Sequence, residues 1–183
     1  MKQTKTPFDG LVIIEPKVMS DARGYFFESF SKRSYKELDL PAEFVQENQS
    51  FSKKNVIRGL HCQRTPHAQS KLIRVLSGAI LDVVVDLRKN KSTYKKIFTV
   101  ELSAVARNFL FIPKGFVHGF SVLSESAEIL YSCDEYYHPE FEDGILFNDP
   151  FLEIDWKIEQ SKRIVSDKDL SLPKLASSSL SFE

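Results

Sequence analysis

Two histidines carry the strongest case for chemistry in this sequence. His61 lies within residues 58–63, RGLHCQ, beside a permanent cation and a glycine. His118 lies within residues 112–120, IPKGFVHGF, and Lys71, Asp82, Asp86 and Arg88 fall between the two. A neutral imidazole is a competent base near pH 7, and a carboxylate on its other nitrogen orients it and raises its basicity. Asp169, Asp167 and Asp82 are the carboxylates that can serve His61 in this way. Tyr131 can donate a proton. Arg23, Arg58, Lys71 and Arg74 can meet an anionic ligand through charge-assisted hydrogen bonds. The expectation is one pocket performing acid/base chemistry on a small polar substrate. Each residue also has a plainer reading: a satisfied structural histidine, a core tyrosine with its hydroxyl paired, a surface cation. For Arg74 the surface reading is preferred.

Strands must place these side chains. Residues 57–63 read as extended, with Gly59, His61 and Gln63 on one face and Arg58, Leu60 and Cys62 on the other. Arg58 and His61 then share a pocket only if the strand bulges, for which Gly59 is the natural site, or if Arg58 lies at the rim. Residues 71–76 and 79–86 read as a β-hairpin around Ser77-Gly78. Its second strand puts Ile80, Asp82, Val84 and Asp86 on one face. A buried aspartate needs a partner, and Lys71, Arg88 and Arg74 are available. Residues 11–18 read as a short edge strand broken by Pro16. Residues 21–24 are a turn, and 25–30 and 43–51 are strands, the latter with Gln46, Asn48 and Ser50 on one face. Residues 94–102 and 108–112 are further strands, and 116–123 and 128–137 form an antiparallel pair. Residues 31–40 are the one clear early helix, with Ser31 as N-cap and Pro41 closing it. Residues 154–169 hold a short helical stretch ending in SDKD, and the Ser-rich tail, about 175–183, is expected to fray. Many closely spaced strands and little helix predict an antiparallel sandwich or jelly roll, built as one domain over residues 1–183.

Composition bounds the partners. The chain has 183 residues, enough for a substantial core, and its fifteen Phe predict aromatic packing. Lys plus Arg equals Asp plus Glu at 25 each, which argues against a bulk nucleic-acid binder and favours self-association. No apolar run approaches the roughly 18 residues that span a bilayer. The N-terminal MKQTKTPFDG has no apolar signal core, so the cytoplasm is the expected location. Cys62 and Cys133 form no CxxC and read as free thiols.

Pro113-x-Gly115-x-x-His118 resembles the second half of the metal-binding cupin motif, which belongs to a jelly-roll class. The first half calls for His-x-His and then Glu, whereas His61-Cys62-Gln63 lacks one His and the acid. A His pair without a nearby carboxylate is a poor zinc or iron site, so no catalytic metal is expected.

The ordered set DARGYFFESF, FVQENQSFS, VIRGLHCQ, KLIRVLSGAILDVVVDLRK, IPKGFVHGF, EILYSCDEYYHPEFEDGILFNDP and SDKD resembles the dTDP-4-dehydrorhamnose 3,5-epimerases over residues 8–173. The resemblance implies an all-β, cupin-type antiparallel jelly roll with a few short helices, without metal or cofactor, assembled as a homodimer. It implies inversion of carbons 3 and 5 of dTDP-4-dehydro-6-deoxy-D-glucose. By family position, His61 is the base, Asp169 its partner and Tyr131 the acid across the ring. Lys71 stabilises the enolate oxygen, Asp82 fixes that lysine, and His118 is a polar contact. Arg58 and Arg23 resemble the diphosphate contacts, with the Arg23 loop reaching across the dimer. Phe26, Glu28, Gln46, Asn48 and Tyr137 frame the thymidine. Cys62 and Phe147 depart from the family's usual Tyr or Phe and Trp. The other readings are an epimerase acting at a single carbon, a non-catalytic sugar-nucleotide-binding cupin and a metal-dependent cupin oxygenase.

Overall fold

In the computed structural model, which describes residues 1–41 and 43–183, two antiparallel sheets pack face to face. In chain order the strands are β1 (Lys2–Lys5), β2 (Val12–Glu15), β3 (Met19–Asp21), β4 (Gly24–Phe26), β5 (Gln46–Lys53), β6 (Ile57–Gln63) and β7 (Lys71–Ser77). They continue as β8 (Ala79–Asp86), β9 (Ile97–Ser103), β10 (Phe109–Ile112), β11 (Phe116–Val122), β12 (Ser126–Cys133) and β13 (Glu142–Gly144). One sheet has the order β1-β2-β10-β7-β12-β5, the other β13-β6-β11-β8-β9, and β3 and β4 form a separate ribbon. The helices are short: α1 (Lys32–Glu37) and α2 (Asp167–Leu170), with 3-10 turns at Pro139–Phe141 and Gln160–Lys162. The architecture is the antiparallel jelly roll the strand spacing called for.

Alternation on the strands sorts the core. Ile73, Val75, Ile80, Val84, Leu110, Phe120 and Ile129 fill the space between the sheets. The opposite face of β8 offers Leu81, Val83 and Val85 to Trp156, Leu175, Leu180 and Phe182 from the C-terminal segment. β8 is therefore buried on both faces, which is why its sequence is nearly continuous Val and Leu. Tyr35 on α1 covers the outer face of the first sheet with Leu72, Phe109 and Phe111.

Several expectations need correction. Residues 71–86 are not a hydrogen-bonded hairpin: β7 pairs with β10 and β12, and β8 with β11 and β9. Gly78, at φ +76°, carries the chain from one sheet into the other. β11 and β12 are likewise divided between the sheets. A turn signal reports that the chain reverses, not which edge it then joins. The strand in residues 11–18 is not at an edge, because β1 pairs along its outer side and β10 along its inner side. The strand expected over 25–30 ends at Phe26. The early helix is shorter than expected, with the Ser31 side chain accepting from the Ser34 N–H as its cap. The tail expected to fray runs back onto the core. The Phe182 N–H donates to the Leu87 carbonyl at 2.9 Å, and the Lys89 N–H donates to the Phe182 carbonyl at 2.8 Å.

Candidate active site

β6 places the central histidine. Opposite β11, His118 faces His61 and Phe120 faces Arg58, so β6 carries one extra residue between these two positions. This bulge turns Arg58 and His61 to the same cavity, as an unbroken alternation would not. Gly59 permits it. Its φ is +119°, and a Cβ there would stand 2.5 Å from the Gly119 Cα. The backbones of β6 and β11 thus approach to a separation that only a pair of glycines allows.

His61 Nε2 lies 2.9 Å from Asp169 Oδ1. Asp169 sits on α2, whose N-cap Ser166 accepts from the Asp169 N–H at 3.2 Å. The second carboxylate oxygen, Oδ2, accepts from the Gly59 N–H at 2.9 Å. Both oxygens are engaged, so the carboxylate is fixed and in turn fixes the imidazole ring. Burial alone would raise the Asp169 carboxyl, but the hydrogen bonds from His61 and Gly59, the charge of His61 and the bond to Ser166 together hold it below the usual carboxylate range. Asp169 is therefore ionised at neutral pH and available to stabilise a proton on His61.

Tyr131 on β12 and Lys71 on β7 enter the same cavity, of about 510 Å³, from the other sheet. Burial pushes the Tyr131 phenol up, and the neighbouring Cys133 and Glu142 add to this against the opposing pull of Arg58. The phenol keeps its proton at neutral pH and is a donor. Lys71 forms no ion pair among the described residues, which leaves its ammonium to meet a developing negative charge. His118 also lines the cavity, with Nε2 at 2.9 Å from Asp82 Oδ2. The expectation that Asp82 fixes Lys71 is thereby corrected: its partner is His118. The other oxygen, Oδ1, is buried with no hydrogen-bond partner. Asp86 on the same strand face is held by Arg88 at 2.7 Å and Thr93 at 2.6 Å.

A second, smaller depression opens beside the first, sharing His61, Lys71 and Tyr131 and adding Gln46, Asn48 and Tyr137. Gln46 Oε1 accepts from the Tyr137 N–H at 2.8 Å, and Gln46 Nε2 donates to Asn48 Oδ1 at 3.0 Å. The Tyr137 hydroxyl donates to Glu142, which also accepts from Lys168 at 2.6 Å.

Three predicted residues stand elsewhere. Arg23 and Phe26 are exposed on the β3–β4 ribbon, where Arg23 pairs with Asp21. Glu28 accepts from the Ser34 hydroxyl at 2.6 Å. None of the three lines either depression around His61. Arg74 is not a free surface cation: it packs 4.8 Å over the Phe109 ring, and burial pulls its pKa down. Cys62 is buried with its thiol pushed up to about 12 by burial, and Phe147 packs against Trp156 with ring centroids 6.3 Å apart. Sequence reasoning missed Ser166, Lys168 and Glu142. The Ser166-x-x-Asp169 spacing is a capping-box signal that points to Ser166. Nothing local marks the other two.

The cavity thus holds an oriented imidazole, a protonated phenol and an ammonium with no ion-pair partner among the described residues. The sequence model of the dTDP-4-dehydrorhamnose 3,5-epimerase family matches residues 5–177. A dTDP-4-dehydrorhamnose 3,5-epimerase of Methanothermobacter thermautotrophicus is 49% identical over 166 residues, 90% of this chain and 89% of that one. The crystal structure of the Elizabethkingia anophelis dTDP-4-dehydrorhamnose 3,5-epimerase superposes with a TM-score of 0.92 at 46% identity, covering 96% of this chain and 97% of that one. The Legionella pneumophila dTDP-6-deoxy-D-glucose-3,5-epimerase, solved in complex with dTDP-4-keto-L-rhamnose, gives a TM-score of 0.91 at 44% identity, covering 96% and 93%. The fold and these likenesses agree, and the chain belongs to the dTDP-4-dehydrorhamnose 3,5-epimerase family.

Proposed function

We propose that this chain inverts carbons 3 and 5 of dTDP-4-dehydro-6-deoxy-D-glucose to give dTDP-4-dehydro-L-rhamnose. The observation that carries this is the meeting of the His61–Asp169 pair, Lys71 and Tyr131 at one cavity. Carbons 3 and 5 both flank the 4-keto group, which acidifies their protons. His61 removes a proton, and Asp169 stabilises the imidazolium that forms. The electron pair moves onto the keto oxygen, where the Lys71 ammonium stabilises the enolate. Tyr131 returns a proton to the opposite face of the carbon, inverting it. His61 then releases its proton to solvent and Tyr131 regains one from it, after which the same set acts at the second carbon. His118, held by Asp82, contacts the sugar.

Arg58 meets the diphosphate, and the depression with Gln46, Asn48 and Tyr137 takes the nucleoside. Stacking of a base on an aromatic ring contributes about 1–3 kcal/mol. Arg23, Phe26 and Glu28 reach the nucleotide from a second copy of the chain, which makes the working unit a homodimer. Among the described residues no helix is long and apolar enough to cross a membrane. A nucleotide-sugar substrate places the working enzyme in the cytoplasm.

The test is incubation with dTDP-4-dehydro-6-deoxy-glucose in D2O, followed by NMR of the ring. Deuterium at carbons 3 and 5 with inverted product is the expected result. Deuterium at one carbon only would replace this reading with that of a single-centre epimerase. Tight binding without exchange would replace it with that of a binding protein.

A further inference from the structure

Away from that cavity, two loops bring His67, Glu135 and His138 together, with one ligand atom from each within 4.8 Å of the other two. His67 lies between β6 and β7, whereas Glu135 and His138 follow β12. All three are half-buried, and none lines either depression around His61. The two imidazoles stack with centroids 3.7 Å apart and 24° between their planes. Phe141 packs edge-on against His67 at 4.6 Å and shields one side.

The main chain beneath these side chains is held by two amides. Gln63, only 2% exposed on β6, donates Nε2–H to the His67 carbonyl at 2.7 Å and to the Tyr136 carbonyl at 3.0 Å. Its Oε1 accepts from the His138 N–H. Gln69 Nε2 donates to the Glu135 carbonyl at 2.8 Å. A buried glutamine whose donor and acceptor both tie down the two loops fixes the stems of the two histidines relative to each other.

We propose that His67, Glu135 and His138 form a structural site for a divalent late transition-metal ion, zinc foremost. Two imidazoles and a carboxylate are a donor set that zinc accepts at about 2.0–2.2 Å. Donors on a tetrahedral ion at that radius lie about 3.4 Å apart, so the three converge on an ion by rotating about their own side-chain bonds over a fixed backbone. Calcium and magnesium select all-oxygen shells and fit this set poorly. Glu140 stands 3.6 Å from His138 Nδ1, close enough to orient the ring or supply a fourth ligand. The ion ties the loop before β7 to the segment that carries Tyr137, and takes no part in proton transfer at His61.

The experiment is calorimetric titration of the metal-free protein, residues 1–183, with zinc alone near neutral pH. One equivalent per chain is expected, retained in His61→Asn and in His118→Asn. Affinity should fall at least tenfold in His67→Asn, His138→Asn and Glu135→Gln, since loss of even an outer-shell partner costs 10–100-fold. Glu135→Gln keeps the side-chain shape and both rings, and guards against a result that only reports unfolding. Cobalt loaded in place of zinc gives a visible ligand-field absorption that the same three variants should lose. The proposal is overturned if the folded wild type binds no zinc, if those variants bind it as tightly as wild type, or if His61→Asn abolishes binding.

Discussion

At the scale of single residues, the site divides its labour by environment. Against the effect of burial, Asp169 is held ionised chiefly by its hydrogen bonds with His61 and Gly59, while burial keeps Tyr131 protonated. The carboxylate that orients His61 and the phenol across the cavity are therefore both in the states the proposed reaction needs at neutral pH. Removing the base should cost at least a hundredfold: His61→Asn is expected to lose that much turnover and solvent exchange together, measured by NMR in D2O. Tyr131→Phe should behave differently. It retains the base and the enolate stabiliser, so deuterium still enters the ring, but inversion falls about a hundredfold because no acid stands on the opposite face. Equal loss of exchange and inversion in Tyr131→Phe would count against this division of roles.

At the scale of elements, the decisive feature is the bulge in β6. RGLHCQ shows the glycine, and alternation shows that Arg58 and His61 can share a face only if the strand is broken there. What the residues themselves do not show is why the break must be at glycine: the Gly119 backbone of β11 lies against Gly59. Gly59→Ala is expected to destabilise the fold by more than about 1 kcal/mol, as alanine does at a positive φ, and to misplace His61. Denaturant unfolding reads the first effect. Turnover in the still-folded population reads the second. A variant with wild-type stability would show that the strands separate at little cost. The short α2 depends on its cap in the same way, because Ser166 seats Asp169, which holds the His61 ring.

At the scale of the whole molecule, buried carboxylates link the fold to pH. Asp86 is fully buried; desolvation raises its carboxyl, but Arg88 and Thr93 outweigh it and hold it below its usual value. A carboxyl lowered in the folded state stabilises it above the ordinary carboxylate pKa of about 4, and loses that contribution as pH falls through the folded value. Melting temperature should accordingly drop on acidification below about pH 4. Arg88→Met, which leaves the Asp86 charge buried without its cation, is expected to cost about 3–5 kcal/mol at neutral pH. The deficit should shrink in acid, where Asp86 is protonated in both proteins. A deficit independent of pH would assign the loss to packing, since Arg88 also lies 4.4 Å over the Phe116 ring.

Sequence by itself determined the strand-rich class, the candidate base and acid, and the ordered motifs of the family, because each is written in residue type and short spacing. Residue types alone left three carboxylates open for His61 and three cations open for Asp82; the family resemblance implied Asp169 for the first and Lys71 for the second. Those pairings depend on which strands lie side by side, and a two-residue period carries no information about neighbours. Only the tertiary structure divided β7 from β8 between two sheets, brought α2 back across 108 positions to place Asp169 on His61, and gave Asp82 to His118. It also seated the Ser-rich tail through Leu180 and Phe182, whose burial depends on a core surface that local composition does not encode.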